Sequence, residues 1–323
     1  MRKYAVLLII FTSLLSAQQS GSDYPKDTSF TNYSAAVKVY KNFPQAKLVQ
    51  PALPEGVKAE ENITYLKLGE RELKADIYRP KKTKKLLPAV IFIHGGGWRS
   101  GDRTQEKPFA QLLASKGYVT ILADYRLSIE ALYPAGVHDI KAAIRWAREN
   151  AKKYRIDKNR IAVLGTSAGA QMASLMGTTG DNPKFEGNEG GLRQSTKVQA
   201  VVNIDGLLDF THEDSRKYDN DPKKPSAAAQ WFGGSFKEKP ELWKEASSLY
   251  YVDKNTPPFI FINSALPHYH AGRDDMIARF KELNIYYEAY TIPDTPHPFW
   301  LFHPWFEQAF DYTVKFLDKV FKK

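Results

Sequence analysis

The sequence predicts an α/β fold with a mainly parallel central sheet and helices on both faces. From Pro88 onward, apolar runs of about five residues alternate with segments whose apolar residues recur at helical spacing. Two of the apolar runs end in glycine-rich turns. Short apolar runs are typical of buried strands, and their regular alternation with helices is typical of parallel sheets, because a parallel connection must cross over the sheet.

The chain before Pro88 contains three segments of different composition. In residues 1–17, Arg2 and Lys3 precede an apolar run that ends in a pair of small residues, which is typical of a cleaved signal peptide; an uncleaved anchor is the alternative. Residues 18–60 are polar and interrupted by prolines, and we interpret them as an extended N-terminal arm. Two strands joined by a turn at 69–71 are predicted near 63–68 and 73–78.

From Pro88 to the C-terminus, strands and helices alternate. The predicted strands are 88–93, 119–123, 160–164, 200–204, 258–262 and 286–291. The predicted helices are 107–116, 138–153, 168–176, 274–283 and 305–320. A polar insertion near 207–251 interrupts the alternation, and we expect it to be a lid or a substrate-binding elaboration. Residues 61–323 are therefore predicted to form one domain.

Composition narrows the classes of protein and partner. The 323 residues include no cysteine, which excludes disulfides, a cysteine nucleophile and thiolate metal ligands. The 46 basic and 36 acidic residues give a net charge of +10, and such an excess attracts polyanions. The sequence contains no recognisable nucleic-acid-binding module. We expect the chain to be exported, either to the periplasm or out of the cell, without stable membrane insertion after signal cleavage. For such a protein, an acidic polysaccharide is the expected partner.

Two motifs follow predicted strands and carry the chemistry. The segment His94–Trp98 (HGGGW) follows strand 88–93, and Gly165–Gly169 (GTSAG) follows strand 160–164. Glycines on both sides of Ser167 allow a strand to turn sharply into a helix, which presents the serine hydroxyl as a nucleophile. Consecutive glycines expose backbone N–H groups that can stabilise an oxyanion. The predicted oxyanion donors are the N–H groups of Gly96, Gly97 and Ala168.

The predicted general base is His297, while the acid has several candidates. His297 follows the last predicted strand and gives the chain order serine, acid, histidine, whereas His303 is expected to belong to the final helix. Asp205 is preferred as the acid because it directly follows a predicted strand. Asp274 and Asp275 are alternatives at a predicted helix start, where acidic residues also serve as caps. A dyad without an acid is a further alternative.

These motifs resemble those of α/β-hydrolases with a His-Gly-Gly-Gly oxyanion motif, particularly exported bacterial carbohydrate esterases. The resemblance covers residues 60–320 approximately, and segments 261–264, 270–275 and 295–300 resemble a Bacteroides-type branch associated with pectin esterases. It implies a serine carboxylic-ester hydrolase that needs no cofactor. In most members the acid follows the penultimate strand by a few residues, but 264–270 contains no carboxylate here.

The resemblance implies a plant cell-wall polysaccharide as substrate, and pectin methyl esters are preferred over acetyl or feruloyl esters. An inactive carbohydrate-binding protein on the same fold is the alternative of another class. Trp98 is expected either to wall the pocket or to pack in the core. Arg273 is expected either to bind a substrate carboxylate or to be a surface arginine at a helix start. His268 and His270 lack further ligands, so no metal site is expected.

Overall fold

The computed structural model describes residues 27–217, 219 and 223–322. The predicted signal peptide 1–17 and the first part of the predicted arm lie outside these residues. The strands are β1 (Lys47–Leu48), β2 (Val57–Leu68), β3 (Arg71–Pro80), β4 (Leu87–Ile93), β5 (Val119–Ala123), β6 (Ile156–Thr166), β7 (Ala200–Ile204), β8 (Phe259–Ser264), β9 (Tyr287–Ile292) and β10 (Phe302–His303).

Helices alternate with these strands along the chain. The α-helices are α1 (Asn32–Asn42), α2 (Lys107–Ser115), α3 (Ala135–Glu149), α4 (Ala151–Tyr154), α5 (Ala168–Thr178), α6 (Glu213–Arg216), α7 (Ala227–Phe232), α8 (Pro240–Glu245), α9 (Arg273–Leu283) and α10 (Trp305–Phe321). Short 3₁₀ turns occur at Pro183–Phe185, Ser248–Tyr251, Pro267–His270 and Phe299–Leu301. The strands predicted from Pro88 onward are all present, with ends that differ by a few residues.

The central sheet has eight strands in the order β2-β3-β5-β4-β6-β7-β8-β9. β3 pairs antiparallel with β2 and β5, whereas β5, β4, β6, β7, β8 and β9 run parallel to one another. In this register Ile93 pairs with Gly165, and Ile204 pairs with both Thr166 and Ile262. The residues that follow β4, β6, β7 and β8 therefore meet at one edge of the sheet, the edge formed by the carboxyl ends of its parallel strands.

Both faces of the sheet are covered, so its central strands are mostly apolar. Ile91 and Val163 belong to a core that includes residues of α3 and α5, while Val90 belongs to a second core with residues of α2 and α10. Neighbouring residues of a strand point to opposite faces, so both sets are buried. This arrangement explains why these strands appear in the sequence as continuous apolar runs rather than as alternating patterns.

The prediction of an extended arm over 18–60 is wrong for its described part. Thr31 caps α1, in which Ala35, Ala36 and Val39 are buried at helical spacing. After α1, the ring of Phe43 packs edge-on against Trp305, with ring centroids 5.3 Å apart. The end of the predicted arm belongs to the sheet, because β2 already begins at residue 57. Ala35, Ala36 and Val39 belong to the same core as residues of α10, and this burial stabilises a helix where the prolines suggested irregular chain.

The insertion predicted near 207–251 contains α6, α7 and α8 between β7 and β8. The predicted helix 138–153 is divided, since α3 ends at Glu149 and α4 begins at Ala151. Within the part of the chain that the structure describes, no helix is both long and apolar enough to cross a bilayer.

Candidate active site

Ser167 lies at a sharp turn between β6 and α5. Its backbone adopts φ 52° and ψ −121°, a conformation that is strained for a residue with a side chain. The turn needs glycine on both sides, because a Cβ atom on Gly165 would lie 2.0 Å from the carbonyl oxygen of Gly169. A Cβ atom on Gly169 would lie 2.0 Å from the carbonyl oxygen of Ile93. This close packing of α5 against β4 and β6 lifts the serine hydroxyl to the sheet edge.

A chain of hydrogen bonds joins Ser167, His297 and Asp205. The Ser167 Oγ lies 2.7 Å from His297 Nε2, and His297 Nδ1 lies 2.7 Å from Asp205 Oδ2. Because an ionised carboxylate can only accept hydrogen bonds, Nδ1 of His297 carries a proton and donates a hydrogen bond to Asp205. Nε2 is then free to accept the hydrogen bond of the serine hydroxyl. This tautomer is the one that a general base acting on serine requires.

Asp205 is fully buried and held by four donors. Its oxygens accept from the Ser264 backbone N–H (3.0 Å), the Ser264 hydroxyl (2.7 Å), His270 Nδ1 (3.4 Å) and His297. Burial by itself raises the pKa of the Asp205 carboxyl, but the bonds from His270, His297 and Ser264 outweigh it and bring that pKa well below its usual range. Asp205 is therefore ionised at neutral pH.

Within the described residues, no hydrogen bond or ion pair joins the other acidic candidates to His297. Asp274 and Asp275 lie in the first turn of α9, and the side chain of Asp274 is 83% exposed. Asp274 Oδ1 accepts a hydrogen bond from Arg273 Nε at 2.8 Å. The structure thus brings Asp205, among the sequence candidates, to the histidine.

The glycine loop after β4 lies directly against Ser167. A Cβ atom on Gly95 would lie 3.2 Å from the Cβ of Ser167, and Gly96 and Gly97 have φ values of 114° and 61°. Among residues 27–217, 219 and 223–322, no hydrogen bond takes up the N–H groups of Gly96, Gly97 or Ala168. These N–H groups are available to a developing oxyanion, as the sequence motif predicts.

His94 supports this loop from within the core. Its ring is buried, stacks on Tyr125 at 4.4 Å and donates from Nδ1 to the carbonyl oxygen of Gly95 at 2.8 Å. The Tyr125 hydroxyl donates to the His94 carbonyl oxygen at 3.0 Å. Burial lowers the pKa of His94, so its ring is neutral and serves to shape the loop.

The structure favours the core alternative for Trp98. The side chain of Trp98 is 6% exposed, stacks on Trp231 of α7 at 4.9 Å and donates from Nε1 to Gln171 Oε1 at 3.0 Å. A Cβ atom on Gly97 would lie 3.2 Å from the Cβ of Ala227, the first residue of α7. The insertion therefore packs against the glycine loop through α7.

Arg273 and Arg99 both lie close to the sheet edge, and both are bound to other residues of the chain. Besides Asp274, Arg273 donates to Asn263 Oδ1 at 3.2 Å and to Thr291 Oγ1 at 3.3 Å. Arg99, which directly follows Trp98, donates to Asp27 Oδ2 at 2.5 Å and to Gln230 of α7. Arg99 thus joins the N-terminal segment, the glycine loop and the insertion, a link that sequence patterns do not show.

Several side chains that the sequence did not predict as functional contact the predicted catalytic residues. Tyr269 stacks on His297, and Ser264 and His270 bind Asp205. Their position at the end of β8 and just after it is the signal that could have identified them, because the ends of parallel strands converge. Glu106 is buried and accepts from Thr166 Oγ1 at 2.6 Å, and burial raises the pKa of its carboxyl to about 8. Within the described residues, no group of acidic and histidine side chains is arranged to hold a metal ion.

Comparisons with known proteins identify the family of the chain. Residues 75–268, more than half of the chain, match the BD-FAE family model. Esterase LipC of Mycobacterium tuberculosis is 34% identical over 206 residues, which cover 62% of this chain and 48% of that protein. The arylesterase of Saccharolobus solfataricus is 36% identical over 130 residues, which cover 40% of this chain and 42% of that protein. The chain spans about half the length of the curated relatives it matches.

Solved structures extend the similarity to most of the chain. A truncated carbohydrate esterase from gut microbiota is 25% identical with a TM-score of 0.72. The similarity covers 84% of this chain and 99% of that chain. A bifunctional GH43-CE protein of Bacteroides eggerthii is 28% identical with a TM-score of 0.70. The similarity covers 81% of this chain and 38% of that chain. The resemblance found in the sequence is confirmed, and the chain belongs to the BD-FAE family of the α/β-hydrolase fold.

Proposed function

We propose that this protein is a serine carboxylic-ester hydrolase that acts through an acyl-enzyme. The observation that carries the proposal is the hydrogen-bonded chain from Ser167 through His297 to Asp205, beside three N–H groups that can bind an oxyanion. The esterase relatives support the same activity.

In the proposed reaction, His297 Nε2 removes the hydroxyl proton as Ser167 Oγ attacks the ester carbonyl carbon. The negative charge that develops on the carbonyl oxygen is stabilised by the N–H groups of Gly96, Gly97 and Ala168, and each such donor typically contributes about 3 kcal/mol. As the C–O bond breaks, the imidazolium protonates the leaving alcohol. His297 then activates a water molecule, which attacks the acyl carbon and releases the carboxylic acid and free Ser167.

For the substrate, we propose esters on plant cell-wall polysaccharide, and specifically methyl esters of pectic galacturonan. The carbohydrate esterase among the similar structures supports the polysaccharide class. The net charge of +10 supports a partly de-esterified, anionic chain, since a basic surface raises its local concentration. We further propose that the protein is exported to the periplasm or secreted, where it would meet such a polymer.

Acetyl or feruloyl esters of plant polysaccharide are the second candidate. The contacts of Arg273 favour them, because its guanidinium binds Asp274, Asn263 and Thr291 of the same chain. The carboxylate contact expected from the pectin proposal is therefore not preorganised at that residue.

Product analysis tests these proposals. The protein is incubated with methylated pectin, acetylated xylan and feruloylated arabinan, and methanol, acetate and ferulate are measured. Methanol release is expected from the wild type and not from Ser167→Ala. Acetate or ferulate without methanol would contradict the pectin assignment while supporting an esterase. Labelling by a fluorophosphonate at Ser167 separates a hydrolase from an inactive binding protein, and Arg273→Gln tests the carboxylate contact through KM on pectin.

A further inference from the structure

The imidazole of His297 is contacted on one face by Tyr269. The two rings are nearly parallel, at 5°, and their centroids lie 3.4 Å apart. Trp300 contacts His297 with its ring plane nearly perpendicular, at 86° and a centroid distance of 5.3 Å. Both imidazole nitrogens are already engaged in the ring plane, by Ser167 and Asp205. The orientation of the ring is thus constrained in its plane by hydrogen bonds and across its plane by aromatic rings.

The segment that carries Tyr269 also binds the acid. Ser264, at the end of β8, donates two hydrogen bonds to Asp205, and His270 lies 3.4 Å from the same carboxylate. Between them the 3₁₀ turn Pro267–His270 places Tyr269 over His297, and the Tyr269 N–H donates to the carbonyl oxygen of Leu266 at 3.1 Å. The six residues after Ser264 therefore contact both the acid and the base.

We propose that Tyr269 is a positioning residue for the hydrolytic reaction, acting through His297; this inference rests on the proposed esterase function. When Ser167 attacks, His297 becomes an imidazolium, and the face of a phenol ring attracts a cation placed over it. The stack also blocks rotation of the imidazole away from Ser167, because rotation out of the plane would drive the ring into Tyr269. Tyr269 stacks on the face of the imidazole, outside the ring plane in which the proton moves, so its effect is on the orientation and charge of His297.

The test compares two substitutions of Tyr269 with a matched control elsewhere. Tyr269→Leu removes the aromatic face, and Tyr269→Phe keeps it while removing the hydroxyl. Tyr290→Leu is the control, because Tyr290 stacks on Tyr312 with a similar geometry, 3.9 Å and 6°, at β9 and α10. For each protein, kcat and KM are measured on p-nitrophenyl acetate, together with the rate of fluorophosphonate labelling and the thermal unfolding midpoint.

The expected result is a fall in kcat on the order of tenfold for Tyr269→Leu, with KM within about twofold of the wild type. The labelling rate falls in parallel, Tyr269→Phe retains most of kcat, and Tyr290→Leu retains all of it. Equal losses in Tyr269→Phe and Tyr269→Leu would overturn the inference, because the hydroxyl would then be responsible. Wild-type kcat in Tyr269→Leu would overturn it as well and leave the esterase proposal intact. A wild type without activity on any ester would overturn both.

Discussion

Nδ1 of His297 lies 2.7 Å from Oδ2 of Asp205, although 92 residues separate the two along the chain. Asp205 directly follows β7, whereas Ser264 and His270, which bind its carboxylate, lie at and after the end of β8. The parallel pairing of β7 with β8 explains how this is accommodated, because Ile204 pairs with Ile262 and the residues after both strands meet. Ser264, the last residue of β8, then donates from its hydroxyl to the Asp205 carboxylate at 2.7 Å.

Neutralising Asp205 tests its proposed role as the acid. Asp205→Asn removes the charge that holds the Nδ1 proton and stabilises the imidazolium, so kcat on an aryl ester is expected to fall by a factor on the order of 10⁴. Asp274→Asn and Asp275→Asn serve as controls and are expected to stay within about twofold of the wild type. Wild-type turnover in Asp205→Asn, with loss in either control, would remove Asp205 from the mechanism.

A methyl group on the glycine loop tests the oxyanion donors. In Gly97→Ala the new Cβ would lie 3.2 Å from Ala227, so the loop must shift by a few tenths of an ångström. Displacement of one donor is expected to lower kcat by up to about 10². Gly69→Ala is the matched control, because Gly69 has a similar φ of 59° and no atom within 4 Å of a Cβ. Equal kcat in both variants would argue against the N–H of Gly97 as a donor.

The buried carboxyl of Glu106 predicts a pH-dependent stability. Burial raises its pKa from 4.5 to about 8, so the folded chain binds more protons than the unfolded chain between these values. The contribution of Glu106 is therefore fully present below about pH 4.5, and the free energy of unfolding falls as pH rises towards 8, by roughly 1.4 kcal/mol per pH unit.

In Glu106→Gln the side chain at this position cannot ionise. The contribution of Glu106 to the fall in the free energy of unfolding with rising pH should therefore be absent from the variant. Urea unfolding between pH 5 and 8 measures the free energy of unfolding of both proteins. As pH rises, the variant is expected to become more stable relative to the wild type. Glu55→Gln is the control, since Glu55 is exposed. A constant difference across this range would show that Glu106 keeps one protonation state.

The contacts of Trp98 predict a structural role. Trp98→Ala removes a buried ring that stacks on Trp231, and the expected loss in the free energy of unfolding is about 3–5 kcal/mol. Trp98→Phe keeps an aromatic ring and loses the hydrogen bond to Gln171, for a smaller loss of about 1–3 kcal/mol. Urea denaturation measures both. Unchanged stability with a raised KM in Trp98→Ala would instead indicate that this side chain walls the substrate pocket.

The elements and the nucleophile could be predicted from the sequence because they depend on neighbours along the chain. Apolar runs identified the strands from Pro88 onward, since buried parallel strands are apolar on both faces. The glycines around Ser167 identified the turn, because a Cβ atom at either flanking position would collide with backbone. The N-terminal helix α1 escaped prediction, because its stability comes from packing against a segment far along the chain.

The tertiary structure decided the relationships between distant segments. Sequence order left Asp205, Asp274 and Asp275 as candidates, and the strand register brought Asp205 to His297 while leaving Asp274 exposed. The stack of Tyr269 on His297 likewise depends on where the ends of β8 and β9 converge. Patterns along a sequence report local conformation and burial, whereas contacts between loops depend on register and packing, which no single segment of the sequence specifies.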